Sequence, residues 1–259
     1  MIPTNNALLT GEDPPPVLVD NPSGASPFLF LGDHAGNAVP AQLQMLGLDA
    51  SELGRHIGWD IGVRSLGQML AQSLDAVFVR QRFSRLVIDC NRTPDAADAI
   101  PETSDGSAVP GNRGLDGAAR KARIAAIHAP YHAAIAAQIE ERARRGQPTI
   151  LVALHSFTPV MGGVARPWDA GILHDGGDTR FALALLAALR QHGDLHIGEN
   201  EPYVMDGTDY TIPVHAYPRS LPYAEIEIRQ DELGDAPGVK RWHRILGDTL
   251  TELSQLPQG

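Results

Sequence analysis

The chain has 259 residues, of which 43% are hydrophobic, and a formal net charge of −10 at pH 7. This hydrophobic content is enough for a sizeable core, so the composition excludes a disordered chain and indicates a globular protein. The negative charge argues against nucleic acid and anionic membranes as partners, because both bind basic surfaces. The only cysteine, Cys90, excludes a disulfide within the chain.

The N-terminal stretch is rich in Pro, Asn, Asp and Ser, and we interpret residues 1–26 as a surface arm in which 17–19 add a short edge strand. It has no basic segment followed by a continuous apolar run, so no signal peptide is predicted. No apolar run in the chain is long enough to cross a bilayer. We therefore predict a cytoplasmic protein that does not bind membranes.

Segments of strand length alternate with segments of helical periodicity from residue 27 to residue 259. Strands are predicted at 28–31, 76–80, 86–89, 151–155, 195–198 and 224–229, helices at 40–46, 61–74, 117–145, 178–192 and 239–254, and long polar loops at 93–116 and 199–223. Long loops in compact domains tend to be functional, so these two are candidate lids. The alternation predicts a single α/β domain over 27–259 with a central, mixed sheet.

Polar clusters follow several predicted strands: DHAGN at 33–37, DCNR at 89–92 and HSFT at 155–158. In open α/β sheets the reactive groups lie just beyond the carboxyl ends of strands. Glu227 differs because it lies inside the last strand, on the face that also carries Glu225 and Arg229. Several such clusters in one sheet predict that their side chains converge on one site.

Each of these residues also has a structural interpretation. His34 and His155 could bond nearby carbonyl groups. Asp60 lies near the start of a predicted helix and could cap it. Arg92 could pair with a neighbouring carboxylate. Glu227 could lie on the solvent-exposed face of a strand that is buried on its other face.

Two imidazoles and one carboxylate from separate loops match a catalytic zinc site, which keeps its remaining position for water. Such an ion lowers the pKa of that water towards ~7. A free carboxylate then acts as the general base and returns the proton to the leaving amine, while an arginine holds a substrate carboxylate by a two-pronged contact. The sequence contains every one of these groups, but it does not determine whether they meet.

Six segments together resemble the N-formylglutamate amidohydrolase family, which is similar to zinc carboxypeptidase-like amidohydrolases such as succinylglutamate desuccinylase and aspartoacylase. They are GDHAGNAVP, HIGWDIG, VIDCNRTP, LHSFTP, GENEPY and EIRQD, and they span about residues 27–233. Each is weak alone, and their shared order and spacing make them specific. The resemblance implies a three-layer α/β/α fold with a central mixed sheet. This is the zinc carboxypeptidase-like (phosphorylase/hydrolase-like) fold.

By position, the resemblance implies that His34 and His155 bind one zinc ion. It implies that Asn91 and Arg92 hold a substrate carboxylate and that Glu227 activates the attacking water.

This sequence departs from the related enzymes at one ligand. They place a glutamate three residues after the first histidine, where this chain has Asn37. We therefore assign the third zinc ligand to Asp60, with Asp33 as the alternative. Asn37 and Arg229 complete the predicted substrate-binding set.

The implied activity is zinc-dependent cleavage of the amide bond of a small-molecule N-acyl amino acid, with N-formyl-L-glutamate giving formate and L-glutamate as the first candidate. One alternative is a metallohydrolase of the same fold that acts on another N-acyl amino acid or a small peptide. Another is a non-catalytic metal-binding or ligand-binding protein. Glu227 and the Asn91–Arg92 pair argue against this last alternative, because zinc binding alone requires none of them.

Two covalent mechanisms are disfavoured. Ser156 is adjacent to His155 on a predicted strand, where neighbouring side chains point to opposite faces, and no G-x-S-x-G motif is present. Cys90 is expected to pack inward as a small apolar group.

Overall fold

The computed structural model describes residues 8–255. Its strands are β1 (Val17–Asp20), β2 (Phe28–Gly32), β3 (Val77–Gln81), β4 (Thr103–Ser104), β5 (Ser107–Ala108), β6 (Ile150–Phe157), β7 (Val160–Met161), β8 (Val164–Ala165), β9 (Ala170–Leu173), β10 (Ile197–Glu199) and β11 (Tyr223–Arg229). Its α-helices are α1 (Ala50–Leu53), α2 (Val63–Ser73), α3 (Gly117–Arg123), α4 (Ala129–Arg144), α5 (Arg180–Leu189), α6 (Thr211–His215) and α7 (Ala236–Ser254).

Seven strands form one sheet in the order β1-β3-β2-β6-β11-β9-β10. The central strands β3, β2, β6 and β11 run parallel to one another. The edges make the sheet mixed, since β1 is antiparallel to β3 and β9 is antiparallel to β11. The predicted α/β fold with a mixed central sheet is confirmed.

Helices cover both faces of the sheet and enclose two cores. Val152 and Leu154 of β6 pack into the core formed with α2, α5 and α7. Leu151 and Ala153 point the other way, into the core formed with α4 and α6. Alternate residues of a buried strand face opposite sides of the sheet, so the apolar residues of β6 contribute to both cores.

The predicted strand at 86–89 is wrong. Leu86 and Val87 are buried, but they lie in a turn. The carbonyl of Leu86 accepts a hydrogen bond from Asn112 Nδ2 at 2.8 Å, and the carbonyl of Val87 accepts one from Arg123 Nη1 at 2.9 Å. Because side chains satisfy these backbone groups, the segment is buried without a neighbouring strand.

The helix predicted to begin at Pro40 is a short 3-10 segment, Ala41–Gly47, that follows this proline. Gln44, Met45 and Leu46 adopt positive φ angles between 46° and 57°, which a regular right-handed helix does not allow. The turn buries Leu46 completely and so anchors the segment in the core.

The two long loops carry short regular elements. The loop at 93–116 contains the hairpin β4–β5, and the loop at 199–223 contains α6. Strand β1 pairs with β3 at the sheet edge, whereas residues 1–7 of the predicted arm lie outside the described residues. The division of the chain at residue 26 stays a prediction. No helix within residues 8–255 has the length and hydropathy needed to span a membrane.

Candidate active site

The neighbouring parallel strands β2, β6 and β11 deliver polar side chains to one cavity of about 740 Å³. The lining includes, among others, His34, Asp60, Arg85, Asp89, Asn91, Arg92, His155, Phe157, Thr158, Tyr203, Asp209, Glu225 and Glu227. The position agrees with the general rule that ligands bind beyond the carboxyl ends of strands.

A tight turn after β2 places His34 in the cavity. Gly36 in this turn lies close to Arg82, the residue that follows β3. A Cβ atom at Gly36 would be 2.1 Å from the carbonyl oxygen of Arg82. A side chain larger than hydrogen is therefore excluded. The carbonyl of His34 accepts the backbone N–H of Asp60 at 2.9 Å, which fixes the segment before α2 against this turn.

His34, Asp60 and His155 form a buried cluster in which one possible ligand atom from each side chain lies within 4.8 Å of the other two. Oδ2 of Asp60 is 3.4 Å from Nδ1 of His34 and 2.9 Å from Nδ1 of His155. One carboxylate oxygen and two imidazole nitrogens thus face a common point, as a single metal ion requires.

The opposite nitrogen of each imidazole meets a different carboxylate. Nε2 of His34 is 2.7 Å from Oδ1 of Asp89, and Nε2 of His155 is 3.1 Å from Oδ2 of Asp33. Such outer carboxylates orient metal-binding histidines and fix the proton on the far nitrogen. This places Asp33 behind His155, on the side away from Asp60, and makes Asp60 the better candidate for the third ligand.

Charge pairing governs protonation in this cluster. Burial raises the pKa of Asp33, but the hydrogen bond and the charge of His155 lower it to about 2. Burial lowers the pKa of His155, but hydrogen bonds to Asp33 and Asp60 raise it well above its ordinary value. Without a cation, the cluster therefore pairs ionised carboxylates with a protonated imidazole. A cation that binds there displaces protons, because a ligating histidine must be neutral.

Arg85 links two carboxylates of the site. Its Nη2 donates to Oδ2 of Asp89 at 2.7 Å, and its Nη1 lies 3.4 Å from Oδ1 of Asp60. The side chain of Arg85 is 28% exposed. Its guanidinium therefore faces the cavity in addition to contacting the two carboxylates. Sequence reasoning missed Arg85 and Asp89 as site residues, although Asp89 belongs to the polar cluster DCNR.

Glu225 and Glu227 project from β11 into the cavity. Both are buried, and Oε2 of each has no hydrogen-bond partner among residues 8–255. Burial raises the pKa of each carboxyl to about 8, against a lowering by the charge of His155. Glu227 is the register partner of His155, and the charges of Asp60 and Arg85 also act on it. Sequence reasoning missed Glu225, although it shares the polar face of the strand with Glu227.

Asn91 holds a loop in place. Its Oδ1 accepts the backbone N–H groups of Tyr210 at 3.1 Å and Thr211 at 2.9 Å, and its Nδ2 donates to Oδ1 of Asp209 at 3.2 Å. These contacts use both ends of the amide. Asn91 therefore positions the loop that precedes α6.

Arg92 borders the cavity and is shared by two carboxylates. Its Nε donates to Oδ2 of Asp98 at 3.0 Å, and its Nη1 lies 3.5 Å from Oδ1 of Asp209. The ion pair anticipated as a structural alternative is present. It leaves part of the guanidinium in the cavity lining.

The structure does not bring Asn37 or Arg229 to the cavity. Nδ2 of Asn37 contacts the carbonyl of Leu53 at 3.5 Å. Arg229 pairs with Asp231 at 2.8 Å and with two further carboxylates. We remove both from the substrate-binding set, because each is engaged elsewhere and neither lines the cavity.

The helix-cap interpretation of Asp60 and the two covalent mechanisms do not fit the structure. The residue that caps α2 is Gly62, so the side chain of Asp60 does not cap the helix. Ser156 donates its hydroxyl to the carbonyl of Ile61 at 3.0 Å and not to an imidazole. Cys90 is fully buried, and burial raises the pKa of its thiol well above the ordinary value, so neither residue is a nucleophile.

A buried histidine cluster behind the site was also missed. Nε2 of His128 lies 3.0 Å from the carbonyl of Arg92, and Nε2 of His132 lies 2.9 Å from the carbonyl of Cys90. Nδ1 of His132 meets Nε2 of His215 at 3.0 Å. Burial lowers the pKa of His132 to about 3, so this ring is neutral and donates from Nε2 to its carbonyl. The cluster anchors both residues that flank Asn91.

Comparisons with known proteins show the family of the chain. The family model of N-formylglutamate amidohydrolase matches residues 26–233. The crystal structure of gene product Atu2144 from Agrobacterium tumefaciens is 36% identical, with 96% of this chain and 100% of that chain covered and a TM-score of 0.89.

A second structure, N-formylglutamate amidohydrolase from Ralstonia eutropha JMP134, is 22% identical, with 93% of this chain and 98% of that chain covered and a TM-score of 0.70. At this identity the likeness concerns the fold. No curated protein matches the chain. The family match covers most of the chain and includes every candidate ligand described above, and the chain therefore belongs to the N-formylglutamate amidohydrolase family and is an amide hydrolase of N-acyl amino acids.

Proposed function

We propose that the protein cleaves N-formyl-L-glutamate to formate and L-glutamate with one bound zinc ion. The observation that carries the proposal is the convergence of two imidazole Nδ1 atoms and one Asp60 oxygen beside the buried Glu227. Oε2 of Glu227 has no hydrogen-bond partner among residues 8–255. Two findings support the choice of substrate. They are the family model and the name of the Ralstonia eutropha structure.

The donor set fits zinc. Two histidine nitrogens and one carboxylate are a known ligand set for catalytic zinc, which leaves room for substrate or water. Asp89 and Asp33 stand behind the imidazoles of His34 and His155 as such sites require. A zinc ion held there supplies a Lewis acid that polarises the scissile carbonyl and makes water more acidic.

Glu227 is the general base in this proposal. Its raised pKa makes the carboxylate a stronger proton acceptor than an exposed glutamate, because burial disfavours its charged form. It removes a proton from the attacking water and passes that proton to the amine nitrogen that leaves. The water oxygen forms the new bond to the acyl carbon as the carbon–nitrogen bond breaks, giving a carboxylate and an amino acid.

Arg85 and Arg92 provide positive charge at two points of the cavity. Arg85, beside Asp60, stabilises negative charge that develops on the scissile carbonyl oxygen. Arg92 binds the α-carboxylate of the amino acid by charge-assisted hydrogen bonds. Asn91 keeps its own amide on the loop before α6 and so acts on the substrate only through the position of its neighbours.

Hydrolysis of a larger N-acyl amino acid is the second candidate. A cavity of about 740 Å³ lies in the range of sites for drug-sized ligands and exceeds the size of a formyl amino acid. This candidate differs from the first only in the size of the acyl group, and the mechanism is the same.

Formate release tests the proposal. Zinc-loaded protein should convert N-formyl-L-glutamate to equal amounts of formate and L-glutamate, lose this activity on chelation and regain it with zinc. A panel of N-acetyl and longer acyl amino acids, assayed in parallel, separates the two candidates. Absence of formate release by a fully zinc-loaded sample would overturn the choice of substrate.

A further inference from the structure

Thr211 is the first residue of α6 and lies behind the proposed metal centre. It is fully buried, and its hydroxyl donates to Oδ1 of Asp33 at 2.9 Å. The carbonyl of Cys90 lies farther from this hydroxyl, at 3.5 Å. A hydroxyl has one proton to donate, so the shorter contact with the charged acceptor takes it. Neither Thr211 nor Asp33 is among the residues that line the cavity.

Asp33 joins this hydroxyl to a proposed metal ligand. Its Oδ2 is 3.1 Å from Nε2 of His155, on the far side of the ring from Asp60. The two oxygens of one carboxylate therefore contact Thr211 and His155 at the same time. Because the hydroxyl restrains one oxygen, it also restrains rotation of the carboxylate, and with it the direction in which the other oxygen accepts the imidazole N–H.

A second hydroxyl acts on Asp33 without such a contact. Burial and the charge of Asp33 raise the pKa of the Tyr131 phenol well above its ordinary value. The hydroxyl of Tyr131 has no hydrogen-bond partner among residues 8–255. The directional contact with Oδ1 of Asp33 is therefore the one that Thr211 makes.

The backbone of Thr211 is itself held in place. Oδ1 of Asn91 accepts the N–H groups of Tyr210 at 3.1 Å and of Thr211 at 2.9 Å. A donor on a fixed backbone restrains its acceptor more closely than one on a mobile segment. A series of contacts thus runs from Asn91 to Thr211, then to Asp33 and finally to His155.

We propose that Thr211 is a positioning residue of the metal centre, which acts through Asp33 to orient the imidazole of His155. The inference rests on the proposed function in taking His155 as a zinc ligand, and it does not depend on the substrate. The hydroxyl keeps Asp33 directed at Nε2, so that Nδ1 of His155 stays turned towards Asp60 and the proposed ion. The alternative is that the hydroxyl only stabilises α6.

Thr211→Val tests the proposal, because valine keeps the size and branching of the side chain and removes the hydroxyl. We expect zinc binding, measured by competition with a chelator, to weaken about 3- to 10-fold, the net contribution of one hydrogen bond. Thr211→Ser keeps the hydroxyl and should bind zinc as the wild-type protein does. Thr249→Val removes the hydroxyl of another buried threonine, which donates to the carbonyl of Ile245 in α7, and should leave zinc affinity unchanged.

Two further measurements separate a positioning role from a role in stability. Thr211→Val should weaken zinc binding no further when Asp33→Ala has already removed the carboxylate through which the hydroxyl acts. In protein loaded with Co²⁺, which absorbs visible light and accepts the same ligands, Thr211→Val should shift the absorption spectrum and Thr211→Ser should not. Thermal unfolding of each metal-free variant measures its loss of stability separately.

Unchanged zinc affinity or an unchanged cobalt spectrum in Thr211→Val overturns the role of Thr211 and leaves the proposed function in place. A loss of affinity that persists in the Asp33→Ala background does the same. If zinc binding weakens as expected but N-formyl-L-glutamate releases no formate, the choice of substrate fails and the role of Thr211 stands. A wild-type protein that binds no zinc overturns both.

Discussion

His155 and Glu227 are register partners on the adjacent parallel strands β6 and β11. Paired residues of neighbouring strands place their side chains on the same face of a sheet, with the strands ~4.8 Å apart. The proposed ligand and the proposed base are therefore fixed relative to each other by backbone hydrogen bonds and not by a loop. Such rigid placement suits catalytic groups, which must hold their geometry closely.

Replacing Glu227 by Gln should lower kcat by roughly 10²- to 10⁴-fold, the usual contribution of a general base. The amide keeps the size of the side chain but does not accept the proton from water. Metal content, measured by mass spectrometry, should stay at the wild-type level. Glu225→Gln is the matched control on the same strand face and should cost much less. An equal loss in both variants would contradict the assignment of the base to Glu227.

Metal affinity should distinguish ligands from the residues behind them. Asp60→Asn and His155→Ala each remove a proposed ligand, so purified protein should retain little zinc. Asp33→Asn and Asp89→Asn keep all three ligands and should weaken zinc binding by about 10- to 100-fold. Competition with a chelator measures these affinities. If Asp33→Asn loses zinc as completely as Asp60→Asn, the third ligand is Asp33.

The pH dependence of stability should reveal the buried carboxyl of Glu225. Burial raises its pKa from 4.5 to about 8 in the folded protein. The folded state thus keeps a proton that the unfolded state releases. The stability from this group is fully present below pH 4.5 and is lost as the pH rises from 4.5 to 8.

Glu225→Gln should remove this slope, which amounts to at most about 1.4 kcal/mol per pH unit for one proton. Urea unfolding of chelator-treated protein at pH 5.5 and pH 7.5 measures it. Parallel pH profiles for the wild-type protein and the variant would show that Glu225 is ionised in the folded state.

His132 should affect substrate binding through the segment that it anchors. His132→Ala removes the closer donor to the carbonyl of Cys90, at 2.9 Å, and leaves the hydroxyl of Thr211 at 3.5 Å; it should lower the free energy of unfolding by about 1–3 kcal/mol. Because Asn91 and Arg92 follow that carbonyl, KM should rise more than kcat falls. Steady-state kinetics and thermal unfolding measure both effects, with His192→Ala as a control outside the cavity lining. A fall in kcat at unchanged KM would contradict a positioning role.

The fold was largely predictable because its signals are local. Strands near β2, β3, β6 and β11 and helices near α2, α5 and α7 follow from apolar periodicity that reflects burial of one or both faces. The segment at 86–89 has the same apolar composition, but Asn112 and Arg123 satisfy its carbonyls from more than twenty residues away. No local pattern distinguishes such a turn from a buried strand.

The candidate site was predictable where polar residues interrupt or follow apolar strands. His34, His155 and Glu227 were singled out on that basis, and Asp60 was nominated because Asn37 stands where the related enzymes have a glutamate. The structure brings all four to one cavity. Asn37 and Arg229 were misplaced because adjacency in sequence does not determine which side of the sheet edge a side chain occupies.

The sequence by itself determined the alternation of strands and helices, the residues that face the cores and the family. It contained the proposed ligands and favoured Asp60, with Asp33 as the alternative, because Asn37 stands where the related enzymes have a glutamate. The tertiary structure supports the choice of Asp60, because the two carboxylates approach opposite nitrogens of the His155 ring and Asp60 also lies beside Nδ1 of His34. That choice depends on the direction of a side chain in three dimensions, and chain spacing does not encode it.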